Sequence, residues 1–321
     1  MYITRNFWYL FSLLLLTIAI SPQIRDLADS WTNSEVKNVH SAFVAAAPVI
    51  PKIRESTIPF PTISAEGVLV ENIKGTEIYY ERAPEATFSI ASLTKLLTSV
   101  LFVERIPQNE EYVISAEAKK TEPNISKVPA GSLVAAPDIV KLMMVESAND
   151  AARVAAEKIG KLVNFNRSTE ISFQNSLDAA ISAMNMRAFE IGMANTNIAN
   201  PVGFDDALHY STAKDLFVLM KYIRERHPSI WNYSRDAETA ISFRKTPGGT
   251  VEHVTIKNTN PLTGKHERIV GSKTGLTDEA GQAVVMLYRL ETGETVAIIL
   301  LKSKDRFGDA EKIIQWLDTQ N

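Results

Sequence analysis

The pattern of apolar and polar positions changes character twice along the chain. After Ser92, apolar residues at Leu96, Leu97 and 100–103 form a dense run that predicts a buried helix beginning near Ser92. Helical periodicity then continues to about residue 227. It predicts helices over Asp138–Val145, Asp150–Ile159, Glu170–Ile191 and Thr212–Arg226.

Alternating runs that are typical of strands lie on both sides of this helical region. Gly67–Glu71 and Glu77–Glu81 flank a Lys-Gly pair, which predicts a hairpin. After residue 250 the chain predicts strands and then a closing amphipathic helix, in the order Val251–Lys257, Arg268–Thr274, Gln282–Leu290, Thr295–Lys302 and Asp309–Leu317. We therefore expect an α+β fold, with one antiparallel sheet built from both ends of the chain and an inserted helical lobe beside it.

The first sixty residues follow neither pattern. Arg5 precedes an apolar run from Phe7 to Ile20 that resembles a secretory signal, but no good small-x-small cleavage site follows it. We expect residues 1–22 to be an uncleaved signal anchor or a signal peptide, with the rest of the chain exported to the outer face of the cytoplasmic membrane. Residues 23–62, polar and then proline-containing, predict an extended stalk, and residues 63–321 a catalytic domain.

The amino-acid composition and the net charge of the chain exclude some classes of function. The chain has 321 residues, of which 45% are hydrophobic, so it is long enough for a large core. Its net charge of −3 gives no indication of nucleic-acid binding. Because cysteine is absent from the sequence, a disulfide framework and a thiolate metal site are both excluded.

Candidate chemistry begins with a Ser-x-x-Lys motif, which occurs four times in the sequence, at Ser34, Ser92, Ser211 and Ser242. Ser34 lies in a polar stretch, Ser211 is typical of a helix N-cap, and Ser242 lies in a strand-like alternation. Only Ser92 opens an apolar helix. Residues three apart share a helix face, so Ser92 and Lys95 are expected to point the same way.

Two further short motifs follow in order, Ser147-Ala-Asn149 and Lys273-Thr-Gly275, each present once. A serine hydroxyl needs a base, and a neutral lysine can serve if burial and a nearby cation lower its pKa. We therefore expect Lys95 to be the base for Ser92, with Lys273 as the nearby cation that binds a substrate carboxylate. If the motifs converge, the three strings together describe an active-site serine enzyme that acylates on an amide.

The remaining groups of such a site can also be assigned. Ser147 is a candidate to pass a proton to the leaving amine, and Asn149 to orient Lys95 or the substrate amide. Backbone N–H groups of Ser92 and Leu276 are candidate oxyanion donors.

The sequence has five histidines, and none has an obvious place among these motifs. His209 with Asp205 and Asp206 invites a metal or acid–base interpretation. However, Gly-Phe-Asp-Asp before a helix is typical of a turn and cap, so we assign these residues no metal.

At these motifs the chain resembles the serine-type D-alanyl-D-alanine carboxypeptidases, the low-molecular-weight penicillin-binding proteins. The resemblance covers roughly residues 65 to 321. It rests on the stretches 91–95, 145–152, 184–193, 200–206, 209–213, 258–262 and 271–281.

The resemblance implies a transpeptidase fold shared with serine β-lactamases, an acyl-enzyme at Ser92 and no cofactor or metal. It implies a peptidoglycan stem peptide ending in D-Ala-D-Ala as substrate and β-lactams as covalent inhibitors. The substrate would be bound by Lys273, Thr274, Gly275 and Leu276, and Arg306 matches the arginine that holds the terminal carboxylate in the family.

Three departures from the family pattern affect the expectations. Leu276 stands where some members carry histidine, so we expect deacylation to be slow. The chain stops soon after the closing helix, where many members continue into a C-terminal β-rich domain and membrane anchor, so the N-terminal segment is expected to anchor the protein. Residues 21 to 62 have no family counterpart that we recognise.

The motifs leave other functions open. A D,D-endopeptidase of peptidoglycan cross-links is the nearest rival, and a non-catalytic peptidoglycan-binding protein remains an alternative. A β-lactamase is less favoured, because no convincing Glu-x-x-x-Asn element supplies a base for the deacylating water.

Overall fold

A computed structural model describes residues 50–123, 126–163 and 172–320. In the described residues the strands are β1 (Lys52–Ile53), β2 (Gly67–Asn72), β3 (Glu77–Arg82), β4 (Glu111–Val113), β5 (Leu133–Ala135), β6 (Glu238–Arg244), β7 (Val251–Lys257), β8 (Ile269–Thr277), β9 (Gly281–Arg289) and β10 (Thr295–Ser303). The α-helices are α1 (Thr94–Arg105), α2 (Ala116–Lys119), α3 (Ala136–Lys141), α4 (Asn149–Val163), α5 (Phe173–Glu190), α6 (Ala213–Arg226), α7 (Pro228–Tyr233) and α8 (Arg306–Asp318). None of these helices is both long and apolar enough to cross a membrane, and the predicted segment 1–22 lies outside the described residues.

The larger sheet joins the two ends of the catalytic domain. Its strand order is β1-β3-β2-β10-β9-β8, and every neighbouring pair is antiparallel except β1 with β3. Val70 of β2 lies opposite Ile298 of β10, so an early strand pairs with the last one. This topology confirms the predicted α+β fold, with helices inserted between the two halves of the sheet.

The central strands are buried on both faces because their side chains alternate between two apolar cores. In β10, Val296 and Ile298 pack toward α8, whereas Ala297 and Ile299 pack toward the helical lobe. This double burial explains why the C-terminal strands are nearly continuous apolar runs rather than alternating polar ones.

Residues 51–62, which the sequence pattern assigned to the stalk, lie against the sheet. Strand β1 pairs with β3, and Arg54 forms an ion pair with Glu77 at 3.1 Å. The Phe60 ring stacks on Tyr80, with 3.5 Å between ring centroids, and meets Trp316 edge-on. The compact unit therefore begins at Pro51 rather than at residue 63, while residues 23–49 of the predicted stalk lie outside the described part of the chain.

Several local expectations need correction. Helix α1 begins at Thr94, and Ser92 lies in a preceding 3₁₀ turn, Ala91–Leu93. Thr212, not Ser211, caps α6, because its extended backbone lets its hydroxyl accept from the Asp215 N–H. The antiparallel sheet β4-β5-β6-β7 was not predicted, since β4 and β5 have three residues each, too few to show a period.

Candidate active site

The nucleophile candidate lies on a strained turn. Ala91 has a φ of +46°, a conformation that costs a non-glycine residue free energy. The turn leads directly into α1, whose second residue is Lys95. As the three-residue spacing predicted, Lys95 Nζ and Ser92 Oγ are 2.8 Å apart.

Lys95 is fully buried, and within the described residues its Nζ has three oxygen neighbours. These are Ser92 Oγ, Asn149 Oδ1 and the Val202 carbonyl oxygen, each at 2.8 Å. Burial lowers the pKa of Lys95 to about 7, although the negative charge of Asp150 acts in the opposite direction. An amine in this state is a base near neutral pH, which an exposed lysine is not.

The second motif follows an irregular helix end. Helix α3 continues into one π-helical turn, Leu142–Glu146, which ends at Ser147 with a left-handed backbone (φ 62°). Ser147 Oγ accepts a hydrogen bond from Lys273 Nζ at 2.8 Å. Asn149 opens α4, and its side-chain amide also donates to the Pro123 carbonyl at 2.9 Å. Ser147 thus lies on a turn as expected, whereas Asn149 is already the first residue of α4.

Strand β8 brings the third motif against the nucleophile turn. A Cβ on Gly275 would lie 2.9 Å from the Ile90 carbonyl oxygen and 3.0 Å from the Ala91 Cβ, so only glycine permits this approach. Lys273 precedes it on the strand, is buried, and donates to the Thr274 carbonyl at 2.9 Å.

Lys273, the cation of the sequence-based expectation, lies in surroundings that shift its pKa. Burial lowers the pKa of Lys273 well below its usual value, and the positive charges of Lys95 and Arg306 lower this pKa further. The lowered pKa of Lys95 results first from its own burial. The surroundings of Lys273 therefore disfavour its charged form. A bound anion would favour its charged form.

Arg306 and Leu276 lie at the other end of the motif. Arg306 is the first residue of α8, and its Nη1 donates to the Gly275 carbonyl at 2.5 Å. Burial lowers the pKa of this guanidinium, but arginine stays protonated in proteins. Leu276 is 62% exposed. The arrangement places one constant positive charge next to the exposed end of the Lys-Thr-Gly strand.

The predicted residues meet at one cleft of about 310 Å³. Seven of them line it directly: Ser92, Ser147, Asn149, Thr274, Gly275, Leu276 and Arg306. The other two, Lys95 and Lys273, contact this lining through Ser92 and Ser147. The structure therefore brings together all nine residues that the motifs singled out.

Sequence reasoning gave no role to several other lining residues. Pro123, Val202, Phe204 and Thr259 also face the cleft. The Thr274 hydroxyl donates to Thr259 Oγ1 at 2.7 Å, which holds the Lys-Thr-Gly strand to the segment after β7. Val202, Phe204 and Thr259 lie in stretches of the sequence that resemble the family. That resemblance was the signal from which their place at the cleft could have been predicted.

The acidic residues near His209 bind protein groups. Asp205 accepts from the Thr277 hydroxyl at 2.5 Å, from the Ser89 hydroxyl at 3.2 Å and from the Glu279 N–H at 3.1 Å. Asp206 accepts from the Leu208 N–H within a turn. Asp205 thus ties the strand that carries the third motif to the segment before the nucleophile.

The geometry fits activation of a serine hydroxyl by a buried amine, next to a second amine and a guanidinium that can bind an anion. A family model described as D-alanyl-D-alanine carboxypeptidase (peptidase S11) matches residues 54–303.

Two relatives and one solved structure show the range of similar proteins. The D-alanyl-D-alanine endopeptidase of Pseudomonas aeruginosa is 29% identical over 263 residues, which are 80% of this chain and 78% of the relative. The D-alanyl-D-alanine carboxypeptidase DacF of Bacillus subtilis is 24% identical over 260 residues, covering 79% of this chain and 61% of the relative. The DD-transpeptidase of Streptomyces K15 shares the fold, with a TM-score of 0.73 at 23% identity, over 82% of this chain and 100% of that structure.

Proposed function

The chain belongs to the D-alanyl-D-alanine carboxypeptidase family, peptidase S11, and we propose that it removes the terminal D-alanine from peptidoglycan stem peptides through an acyl-enzyme on Ser92. The observation that carries this proposal is the 2.8 Å contact between Ser92 Oγ and the buried Nζ of Lys95. A serine hydroxyl becomes a useful nucleophile only when a positioned base takes its proton.

The neighbours of Lys95 match a neutral amine. A neutral amine has two N–H donors and one lone pair. Asn149 Oδ1 and the Val202 carbonyl can only accept, so they take the two donors. The lone pair is then left for the Ser92 hydroxyl. In the acylation step the Ser92 proton moves to Lys95 Nζ, while Oγ forms a bond to the scissile carbonyl carbon.

The leaving amine must gain a proton before the C–N bond breaks. Ser147 is suited to relay it, because its hydroxyl lies in the cleft and its oxygen is hydrogen-bonded to Lys273 Nζ. The Ser147 hydroxyl proton would pass to the amine, and the proton that Lys95 took from Ser92 would replace it, which returns Lys95 to its neutral form. Asn149 positions Lys95, because its side-chain oxygen accepts a hydrogen bond from Lys95 Nζ. The tetrahedral oxyanion would be bound by the N–H groups of Ser92 and Leu276, on the two walls of the cleft.

The substrate's terminal carboxylate fits the cationic end of the cleft. Arg306 and Lys273 supply the positive charge, and Thr274 supplies a hydroxyl. An arriving carboxylate would raise the pKa of Lys273 and so favour its charged form when the substrate binds. β-Lactams carry a carboxylate next to a strained amide, so they should acylate Ser92 in the same way.

Covalent labelling tests this function directly. The full-length chain is incubated with benzylpenicillin, and its intact mass is measured beside Ser92→Ala and Lys95→Ala. We expect one adduct on the wild type, none on Ser92→Ala, and almost none on Lys95→Ala although that variant keeps its circular dichroism spectrum. Full labelling of either variant would overturn the mechanism. If no adduct forms and no penicillin is consumed, the result would favour an inert wall-binding protein. If penicillin is consumed without an adduct, the result would favour a β-lactamase.

An endopeptidase is the second candidate, because a relative with that name is 29% identical over 80% of the chain. Both reactions form the same acyl-enzyme and differ only in the amine that leaves. A cross-link whose amine carries an adjacent carboxylate would present the same anion to Lys273 and Arg306. Incubation with purified cross-linked dimers and uncross-linked pentapeptides distinguishes the two. Release of free D-alanine without loss of dimers would support the carboxypeptidase. Conversion of dimers to monomers would support the endopeptidase.

For the location of the enzyme, we propose the outer face of the cytoplasmic membrane. The support is the apolar run Phe7–Ile20 behind Arg5, which has the pattern of an export signal. Membrane fractions should retain the full chain after alkaline washing, whereas a chain that is cleaved near residue 22 would be released. Intact spheroplasts should lose the catalytic domain to added protease, and protection from protease would refute this location.

A further inference from the structure

His209 is a buried titratable side chain that the proposed mechanism does not use. It is 1% exposed, and its Nε2 lies 2.7 Å from the Thr94 hydroxyl at the start of α1. Burial lowers the pKa of this imidazole to about 4, so the ring is neutral at neutral pH. The imidazole thus lies directly behind the turn that carries Ser92.

The neighbours of the ring fix its tautomer. The Ala199 backbone N–H donates to Nδ1 at 3.2 Å, and the Asn200 side-chain amide lies 3.5 Å from the same atom. Nδ1 is therefore the acceptor, and the ring proton is on Nε2. The Nε2–H then donates to Thr94 Oγ1, whose own proton goes to the Ala91 carbonyl at 2.8 Å.

This chain of hydrogen bonds ends on a peptide group of the active site, whose carbonyl also accepts the Thr94 backbone N–H. The Ala91 carbonyl and the Ser92 N–H belong to one planar trans peptide, so they point in opposite directions. Holding the carbonyl inward fixes the direction of the Ser92 N–H, which is a candidate oxyanion donor. The turn needs such a restraint because Ala91 has a φ of +46°.

A second contact shows how little room this peptide has. A Cβ on Gly203 would lie 1.9 Å from the Ala91 oxygen and 2.9 Å from the Ser92 nitrogen. The loop that carries His209 therefore touches the Ala91–Ser92 peptide at Gly203 and restrains it from behind through Thr94.

We propose that His209 is a positioning residue, which acts through the Thr94 hydroxyl on the Ala91 carbonyl to hold the Ser92 nucleophile turn in its reactive orientation. This inference rests on the proposed function, because it assumes that Ser92 is the acylated residue. The role is one of geometry: the imidazole supplies a fixed N–H donor and takes no proton from the substrate. Displacing a reacting group by about 1 Å can cost roughly 100-fold in rate.

Matched pairs of variants separate the hydrogen bonds from the packing. Thr94→Val keeps the shape of the side chain and removes the hydroxyl, whereas Thr94→Ser keeps the hydroxyl. His209→Phe keeps a ring and removes the donor, whereas His209→Gln places an amide nitrogen near the position of Nε2. The combined variant of Thr94→Val with His209→Phe completes a double-mutant cycle.

Stopped-flow acylation of the full-length chain by a chromogenic cephalosporin measures the binding constant and the acylation rate constant separately. Thr94→Val and His209→Phe should lower the acylation rate constant about 10- to 100-fold with little change in the binding constant. Thr94→Ser and His209→Gln should stay within about 3-fold of the wild type, and the combined variant should be no slower than the slower single variant.

Each possible outcome bears on the proposal. Equal acylation rate constants for Thr94→Val and Thr94→Ser, or fully additive losses in the combined variant, would overturn it. Thermal unfolding identifies a variant that only loses stability, because its folded fraction would acylate at the wild-type rate, and that result also refutes a positioning role. If His209→Phe does not fold, the Thr94 pair decides the question. Absence of acylation in the wild type would instead refute the proposed function.

Discussion

Acylation should depend on pH through the protonation of Lys95. Only the neutral amine can take the Ser92 proton, so the acylation rate constant should rise as the pH rises through the pKa of Lys95. Burial lowers that pKa to about 7. The rate should therefore increase below neutrality and level off above it, which an unperturbed lysine would not allow.

The size of the effect follows from the pKa. With a pKa of about 7, roughly half of Lys95 is neutral at pH 7 and about 1% at pH 5, so acylation should slow about 50-fold between these values. A lysine with its ordinary pKa of about 10.4 would be roughly 0.04% neutral at pH 7. Burial thus supplies about a thousandfold more of the reactive form at neutral pH.

Two substitutions should move the midpoint in opposite directions. Asp150 is buried, its charge raises the pKa of Lys95, and it forms an ion pair with Lys119 at 2.8 Å. Asp150→Asn removes a negative charge, so the midpoint should fall below that of the wild type. Lys119→Met removes a positive charge beside Asp150, so the midpoint should rise.

The assay is second-order acylation by a chromogenic β-lactam, followed from pH 5 to pH 9 at constant ionic strength. Each variant is first checked for an unchanged thermal unfolding temperature at every pH used. A rate that is flat across this range, or a midpoint above about pH 9, would falsify the assignment of Lys95 as the base. Identical midpoints for Asp150→Asn and Lys119→Met would refute the electrostatic argument.

Three further predictions test other parts of the molecule. Gly203→Ala would place a Cβ 1.9 Å from the Ala91 oxygen. This variant should lower the free energy of unfolding in urea by at least about 2 kcal/mol and should reduce acylation by penicillin. The control Gly248→Ala adds a Cβ in open space, so it should lower the free energy of unfolding by only about 1 kcal/mol and leave acylation intact. Lys273→Ala should lower kcat/KM for carboxylate-bearing peptides at least about 10-fold, and an unchanged kcat/KM would contradict its assigned role. Burial alone would raise the pKa of Asp309, but hydroxyl and backbone hydrogen bonds lower it overall, so its contribution to stability is present at neutral pH and lost as the pH falls through its folded pKa. Asp309→Asn should therefore cost roughly 1.5–3 kcal/mol in urea unfolding at pH 7 and much less near pH 2.

The sequence predicted the sheet from both ends of the chain because its long strands carry a strong local signal. Apolar residues fill most of β9 and β10, and the five residues 290–294, four of them Glu, Thr, Gly and Glu, separate the two strands. The short strands β4 and β5 gave no signal, because they are strands through pairing with each other and, for β5, with β6 rather than through a local pattern. The contacts of residues 51–62 with the sheet also left no local signal, because the Phe60 ring contacts Tyr80 and Trp316 only in the folded chain.

The site was predictable in its residue types and not in its charges. Spacing alone placed Lys95 beside Ser92, and chain order placed Ser147 and Lys273 as their partners. Protonation depends on burial and on the distances between cations, which no local pattern encodes. The sequence therefore could not show that burial and neighbouring cations lower the pKa of Lys273, and the expectation that Lys273 is the charged partner of a substrate carboxylate stays a prediction.

Two buried amines and a guanidinium in one cleft constrain how the enzyme reaches its reactive state. Burial lowers the pKa of both lysines, and the positive charges of Lys95 and Arg306 lower the pKa of Lys273 further. A substrate carboxylate next to Arg306 and Lys273 reverses this balance for Lys273 alone. Lys273 would then be the charged partner of the anion, and its charge would disfavour protonation of Lys95, which could then accept the Ser92 proton. On this argument the carboxylate does more than add affinity, because it assigns different protonation states to the two lysines, and its loss should lower kcat as well as raise KM.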